Sequence, residues 1–266
     1  MTTTYAAPVD QLLALGEAKR QDIEHWRDYR SLGFDVQHVP ELIRMATDPE
    51  LHGAEGDSPE VWAPLHAWRA LGQLRAVEAL RPLLNLMAEM EHDDWLLEEV
   101  PDVGGLVGPQ AIPVLSEFLG QSEPDRYARV AAGHGLERIG TLWPEARDAC
   151  VAALMTQLEH FSEDDPTLNG FLIGYLVDLE AKEALPTIGR AFAADCVDIS
   201  IGGDLEDVEI ELGVRAHRDT PPKMPPWMKS MHRAVSRVTQ QKDREAAARA
   251  KRKKKAAKAS RRKNRR

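Results

Sequence analysis

The sequence predicts an all-α chain, a solenoid of stacked helix pairs. Three observations carry that expectation. Ala, Leu, Glu and Arg dominate while Val, Ile, Thr and aromatic runs stay short. Apolar residues recur at helical spacing. The same pattern then returns along the chain, and a repeat of this length with two helices per unit is the signature of a stack in which each pair buries its stripe only against its neighbour.

The repeat is read from its punctuation. Leu71-Gly72 is followed 36 residues later by Val107-Gly108, and 32 after that by Ile139-Gly140. Behind each comes a second apolar segment, at 76–87, 111–119 and 149–158, and a fourth at 183–192 follows the run GFLIGYLVDLE. Pro82, Pro113 and Pro186 sit near the starts of second segments, where first-turn N–H groups have no intrahelical partner to lose.

The best-formed unit is 58–72, with Val61, Leu65, Trp68 and Leu71 on one stripe. There Ser58 is the expected N-cap, Pro59 the first helical residue and Gly72 the stop. Gly104-Gly105 and Gly202-Gly203 are expected turns. Residues 1–57 hold three expected capping helices, in PVDQLLALG, DIEHWRDYRSLG and VPELIRMATD, and 58–194 are the repeats. Residues 195–219 form a C-terminal cap with Asp204 as N-cap and Gly213 as stop; a shorter β reading runs through Val208, Ile210 and Leu212. Residues 220–266 are a proline-rich linker and a basic tail, which has nothing to bury beyond 241 and is expected to be disordered when free.

The phrases RVAAGHGLERIG at 129–140 and GPQAIPVLSEFL at 108–119 resemble the short HEAT-like repeats of the phycobilisome-lyase type. With HVPELIRMATD and SPEVWAPLHAWRALGQL, residues 9–215 resemble a group of bacterial HEAT-like repeat proteins. The resemblance implies a right-handed HEAT-like α-solenoid and no particular reaction. Some members of the group end in a cysteine-rich zinc motif; this chain carries the basic tail instead. Trp68-x-x-Leu71-Gly72 also matches the tetratricopeptide opening, but Arg75 stands where that pattern has tyrosine.

Charge divides the chain. Residues 1–222 hold 16 Lys+Arg against 41 Asp+Glu, and residues 223–266 hold 18 against 2, so the overall −9 describes neither part. An acidic body argues against nucleic-acid binding through its own surface, because phosphate contacts need Lys and Arg. The tail residues Lys251, Arg252, Lys253, Lys254, Lys255, Lys258, Arg261, Arg262, Lys263, Arg265 and Arg266 are the expected polyanion-binding set, for RNA, DNA, a ribosome or the acidic body itself. No secretory leader or membrane-length apolar run is visible, and Cys150 and Cys196 cannot build a disulfide framework or a multi-cysteine zinc site. The expectation is a cytoplasmic monomer with no membrane span.

Trp62, His66 and Arg69 share one helix face at i, i+4 and i+7, and Trp95, Glu98 and Glu99 lie in the acidic stretch 89–102. These six are the candidate partner-binding residues, for a protein partner and a basic one by charge. The competing reading of the first three is packing between repeats with a satisfied histidine. Glu24-His25, Glu91-His92 and Glu159-His160 recur 67 and 68 residues apart, but two units is too far for one metal. No catalytic residue, metal or cofactor is expected, since no nucleophile triad, phosphate-binding glycine loop or HExxH is present. The expected function is a non-enzymatic interaction scaffold. Its rivals are a nucleic-acid- or ribosome-associated adaptor acting through the tail, and a HEAT-like lyase or His/Glu metal hydroxylase.

Overall fold

A computed structural model describes residues 4–90 and 93–223. The chain divides into two compact units, Met1–Pro221 and Pro222–Arg266. The predicted basic tail, its disorder and the Glu91-His92 pair lie outside the described residues. The described part of the first unit is all-helical, with no strand among those residues.

Four helix pairs form the centre. They are α3 (Ala63–Gln73) with α4 (Leu80–Glu89), α5 (Asp94–Val107) with α6 (Ile112–Leu119), α7 (Arg126–Leu142) with α8 (Arg147–Leu158), and α9 (Pro166–Asp178) with α10 (Leu185–Ala193). Helices α1 (Val39–Ala46) and α2 (Pro49–His52) precede them, and α11 (Ile199–Gly202) and α12 (Leu205–Glu211) follow. Contacts run in chain order: α3 packs on α5, α5 on α7 and α7 on α9, while α4, α6, α8 and α10 pack likewise in succession. One apolar core runs along the whole unit, from Tyr5 to Leu212.

Each second helix has the same entry. The 3-10 turns Val77–Ala79, Pro109–Ala111, Pro144–Ala146 and Lys182–Ala184 lead into α4, α6, α8 and α10. Each turn ends on a buried alanine, Ala79, Ala111, Ala146 or Ala184. A larger side chain there would hold the turn away from a core packed at crystal-like density. The prolines of α4, α6 and α10 fall in the first turn, as the sequence suggests. Pro101 is different: it sits inside α5, buried, where it removes one hydrogen bond.

The glycines are not interchangeable. Gly72 lies inside α3, where a Cβ would stand 3.3 Å from Val103 Cα of α5. Gly104 and Gly105 lie inside α5 rather than in a turn, and a Cβ on Gly105 would meet Arg138 Cβ of α7 at 2.9 Å. Gly140 is likewise inside α7, against Leu179. These residues let neighbouring helices approach; they do not stop a helix. Gly108 does end one, with φ +85° at the close of α5.

Local signals elsewhere are sound with some shifts. Asp93, Asp125, Asp165 and Asp204 cap α5, α7, α9 and α12 through their carboxylates. The helical reading of 205–211 holds and the β alternative does not. Ser58 holds the N-cap position with Pro59 next, as expected, but its side chain accepts no N–H, and residues 59–62 are a 3-10 turn before α3. The first two N-terminal helices are corrected as well. Val9–Ala14, Ile23–His25 and Arg30–Leu32 are short 3-10 turns, and backbone groups of the stretches between them, at Gly16, Lys19, Arg27 and Tyr29, are held by side chains from α3.

Ion pairs tie consecutive helix pairs together. Arg81–Glu117, Arg138–Asp102, Arg129–Asp164 and Arg147–Glu183 each join consecutive units, across 35 or 36 residues. Arg129–Asp164 is buried, 2.8 Å long, and Arg129 Nε also donates to Leu119 O. Part of the acidity of the body is therefore consumed internally.

Candidate binding pocket

Helix α3 carries a polar stripe at His66, Arg69 and Gln73, and the stripe is occupied. His66 Nε2 donates to Gly16 O at 2.9 Å, and Arg69 Nη2 donates to Lys19 O at 2.9 Å. Gln73 Nε2 donates to Arg27 O, while Gln73 Oε1 accepts from Tyr29 N. Three side chains of one helix thus hold four backbone groups of residues 16–29. The segment fills the space with Trp26 and Tyr29, and the Arg69 guanidinium lies 4.9 Å from the Trp26 ring centroid.

Below the stripe, Arg69 forms a two-pronged pair with Glu99 of α5, at 2.8 and 2.5 Å. Trp68 Nε1 donates to the same carboxylate at 3.0 Å. Arg69 is 2% exposed and Glu99 6%. His66 is buried too, so as an exposed surface the predicted face does not exist at these positions. What covers it is the chain's own N-terminal segment.

The two remaining tryptophans of the predicted set have a different neighbourhood. Trp62, closing the turn before α3, meets Trp95 of α5 at 5.5 Å between centroids and 87° between planes. Together with Trp68, His52, Val61, Pro64, Leu65, Gly56 and Asp93 they line a solvent-open cavity of about 250 Å³. His52 closes one side, stacked on Trp68 at 6.5 Å and 17°, its Nε2 donating to Ala46 O. Among the described residues, Asp93 is the only acid in the lining, and no Lys or Arg is part of it. Asp93 Oδ1 accepts from Trp95 N and Leu96 N at the start of α5. Glu98 is exposed and pairs with Arg20 at 2.5 Å, and that guanidinium lies 4.6 Å from the Trp95 centroid.

The six predicted residues therefore share one neighbourhood in two roles. Trp62 and Trp95 line a cavity and Glu98 sits at the surface, whereas His66, Arg69 and Glu99 are interior ties. The sequence reading did not single out His52, Asp93 or Arg20. Trp68 had been assigned to the core stripe, which it also serves.

A second cluster lies along α5, α7 and α9. His134 stacks on Tyr175 at 5.3 Å and 6°, and burial together with Arg138 pushes it down to about 4. Burial raises Asp102, Glu137 and Asp178 above the usual carboxyl range. Of the Glu-His pairs, Glu24-His25 is exposed in its turn, and Glu159 is held by Arg190 and Thr187. Among the described residues no three His, Cys, Asp or Glu side chains converge as metal ligands. No helix among them is long and apolar enough to cross a membrane.

Compared with protein-family models, curated proteins and solved structures, the chain matches none.

His66 gives the N-terminal attachment a pH dependence. With Nε2 donating to a carbonyl, the neutral ring leaves Nδ1 to accept the Tyr29 hydroxyl at 2.7 Å. Burial, assisted by Arg69 and Arg27 and opposed by the Gly16 bond, keeps its pKa below the ordinary histidine value. The unfolded chain therefore takes up the proton first, and stability must fall as pH drops below about 6.5. His134 contributes with the same sign. The raised carboxyls act in the opposite sense at lower pH, so the informative interval is 7.5 to 5.5. Urea midpoints should decrease across it in the wild type and decrease less in His66→Gln. An equal decrease in both proteins would remove His66 as the cause.

Proposed function

We propose that the chain is a right-handed HEAT-like α-solenoid that serves as a non-enzymatic protein-interaction scaffold. It presents the Trp62/Trp95 cavity to a basic partner. Chain-order packing and ion pairs between consecutive helix pairs support the solenoid reading, because most of the helix-to-helix packing runs between neighbours. The observation that carries the interaction reading is the solvent-open cavity with tryptophan walls. Tryptophan is enriched at binding hot spots, where a few such residues supply most of the affinity. The surrounding acids suit a basic partner, since residues 1–222 are strongly acidic overall. The polycationic arm at 223–266 enters this reading through its charge alone.

Crosslinked capture from native lysate with the full chain tests the proposal. The wild type should recover a specific partner, and Trp62→Leu/Trp95→Leu should recover at least roughly tenfold less of it. Equal recovery by the two proteins, or no partner above background, rejects the scaffold reading at this surface.

A further inference from the structure

We propose that the Trp62/Trp68/Trp95 cavity receives a lysine side chain from a basic protein segment, with its ammonium against the tryptophan rings and Asp93. This rests on the scaffold reading and specifies what that surface recognises.

Size favours a small occupant. At about 250 Å³ the cavity falls below the roughly 300–1,000 Å³ typical of drug-sized ligands. One long side chain fits. Wall chemistry then selects charge. Aromatic faces attract cations through their quadrupole, with tryptophan the strongest of the three aromatic residues. The Trp95 ring already holds a cation: Arg20 lies 4.6 Å from its centroid without lining the cavity. Asp93 supplies a formal negative charge, and its second oxygen, Oδ2, has no hydrogen-bond partner among the described residues. The loop next to the lining residues Gly56 and Val61 adds exposed Glu55, Asp57 and Glu60.

Wall shape separates lysine from arginine. A guanidinium is a plate and packs best on a parallel face, whereas an ammonium is compact and suits a corner. Trp62 and Trp95 stand at 87°, which makes a corner. The methylene stem of lysine would cover the apolar lining of Val61, Pro64 and Leu65.

The test uses the full chain and three capped peptides, acetyl-Ala-Ala-Xaa-Ala-Ala-amide with Xaa lysine, norleucine or arginine. Tryptophan indole N–H signals are followed by NMR and assigned by single substitution. The lysine peptide should shift the Trp62 and Trp95 signals saturably and bind at least roughly tenfold tighter than norleucine. Asp93→Asn, which keeps an N-cap side chain, should weaken lysine binding several-fold. Trp62→Leu should abolish it while far-UV circular dichroism stays unchanged. Norleucine binding as tightly as lysine, arginine binding more tightly, or no shift with any peptide overturns the proposal. The first of these leaves the scaffold reading intact. Lysine binding with undiminished partner capture by the double tryptophan variant rejects that reading instead.

Discussion

Arg69→Ala is expected to lower the unfolding free energy by about 3–5 kcal/mol, the cost of leaving one member of a buried ion pair without the other. Glu99 would remain 6% exposed with only Trp68 Nε1 donating to it. Lys19 O would lose its donor as well. Against a typical total of about 5–15 kcal/mol this is a large fraction. Urea unfolding followed by tryptophan fluorescence reads it directly. The double substitution Arg69→Met/Glu99→Leu separates pair from packing. It removes both charges and keeps volume, so it should recover most of the loss. A double variant as unstable as Arg69→Ala would mean that anchoring residues 16–29, rather than charge burial, dominates at this position.

Gly108→Ala is expected to destabilise the helical body strongly, by about 2–6 kcal/mol. Two effects combine. At φ +85° and ψ −154° the backbone lies where only glycine is comfortable, worth about 1–3 kcal/mol. A Cβ would also approach three atoms of the Trp143 ring at 2.8–3.0 Å, and overpacking costs about 1–3 kcal/mol. The ring cannot easily yield: its Nε1 donates to Gly105 O and Arg75 lies 4.6 Å from its centroid. Gly174→Ala is the control, since it is helical with nothing within 4 Å of the added carbon. It should stabilise by about 0.5–1 kcal/mol. Thermal midpoints moving in opposite directions support this account; a tolerated Gly108→Ala removes it.

That contrast shows what the sequence can and cannot convey. Gly72, Gly108 and Gly140 follow the same Leu/Val/Ile and carry the same punctuation, yet one ends a helix and two sit at helix crossings. A glycine that admits a turn and one that admits a neighbouring helix are identical in one dimension, because the second depends on residues some 30 positions away. Helix capping was legible at Asp204 for the opposite reason: its partner N–H lies two residues on. The first two N-terminal segments are short turns rather than helices, and the side chains that hold the stretches around them, His66, Arg69 and Gln73, lie 44–50 residues on, beyond the reach of a local pattern. The cavity was half legible. Trp62 and Trp95 stood out as candidates, but only the fold brings them within 5.5 Å and sets them beside Asp93. Alanine carries a fuller signal: the buried alanines at 79, 111, 146 and 184 recur at 32, 35 and 38 residues and mark all four helix pairs, where the glycines mark only three.

The chain-order packing of the helix pairs also bears on how quickly the molecule forms. With α3 on α5, α5 on α7 and α7 on α9, the principal contacts among the central helices each close a loop of about one helix pair. Loop-closure entropy grows slowly with length and is paid here in small, separate steps. Topologies of this kind fold fast for their size. A nascent chain can complete α5 against α7 before α9 has been synthesised, so assembly can keep pace with translation instead of waiting for a distant strand or terminus.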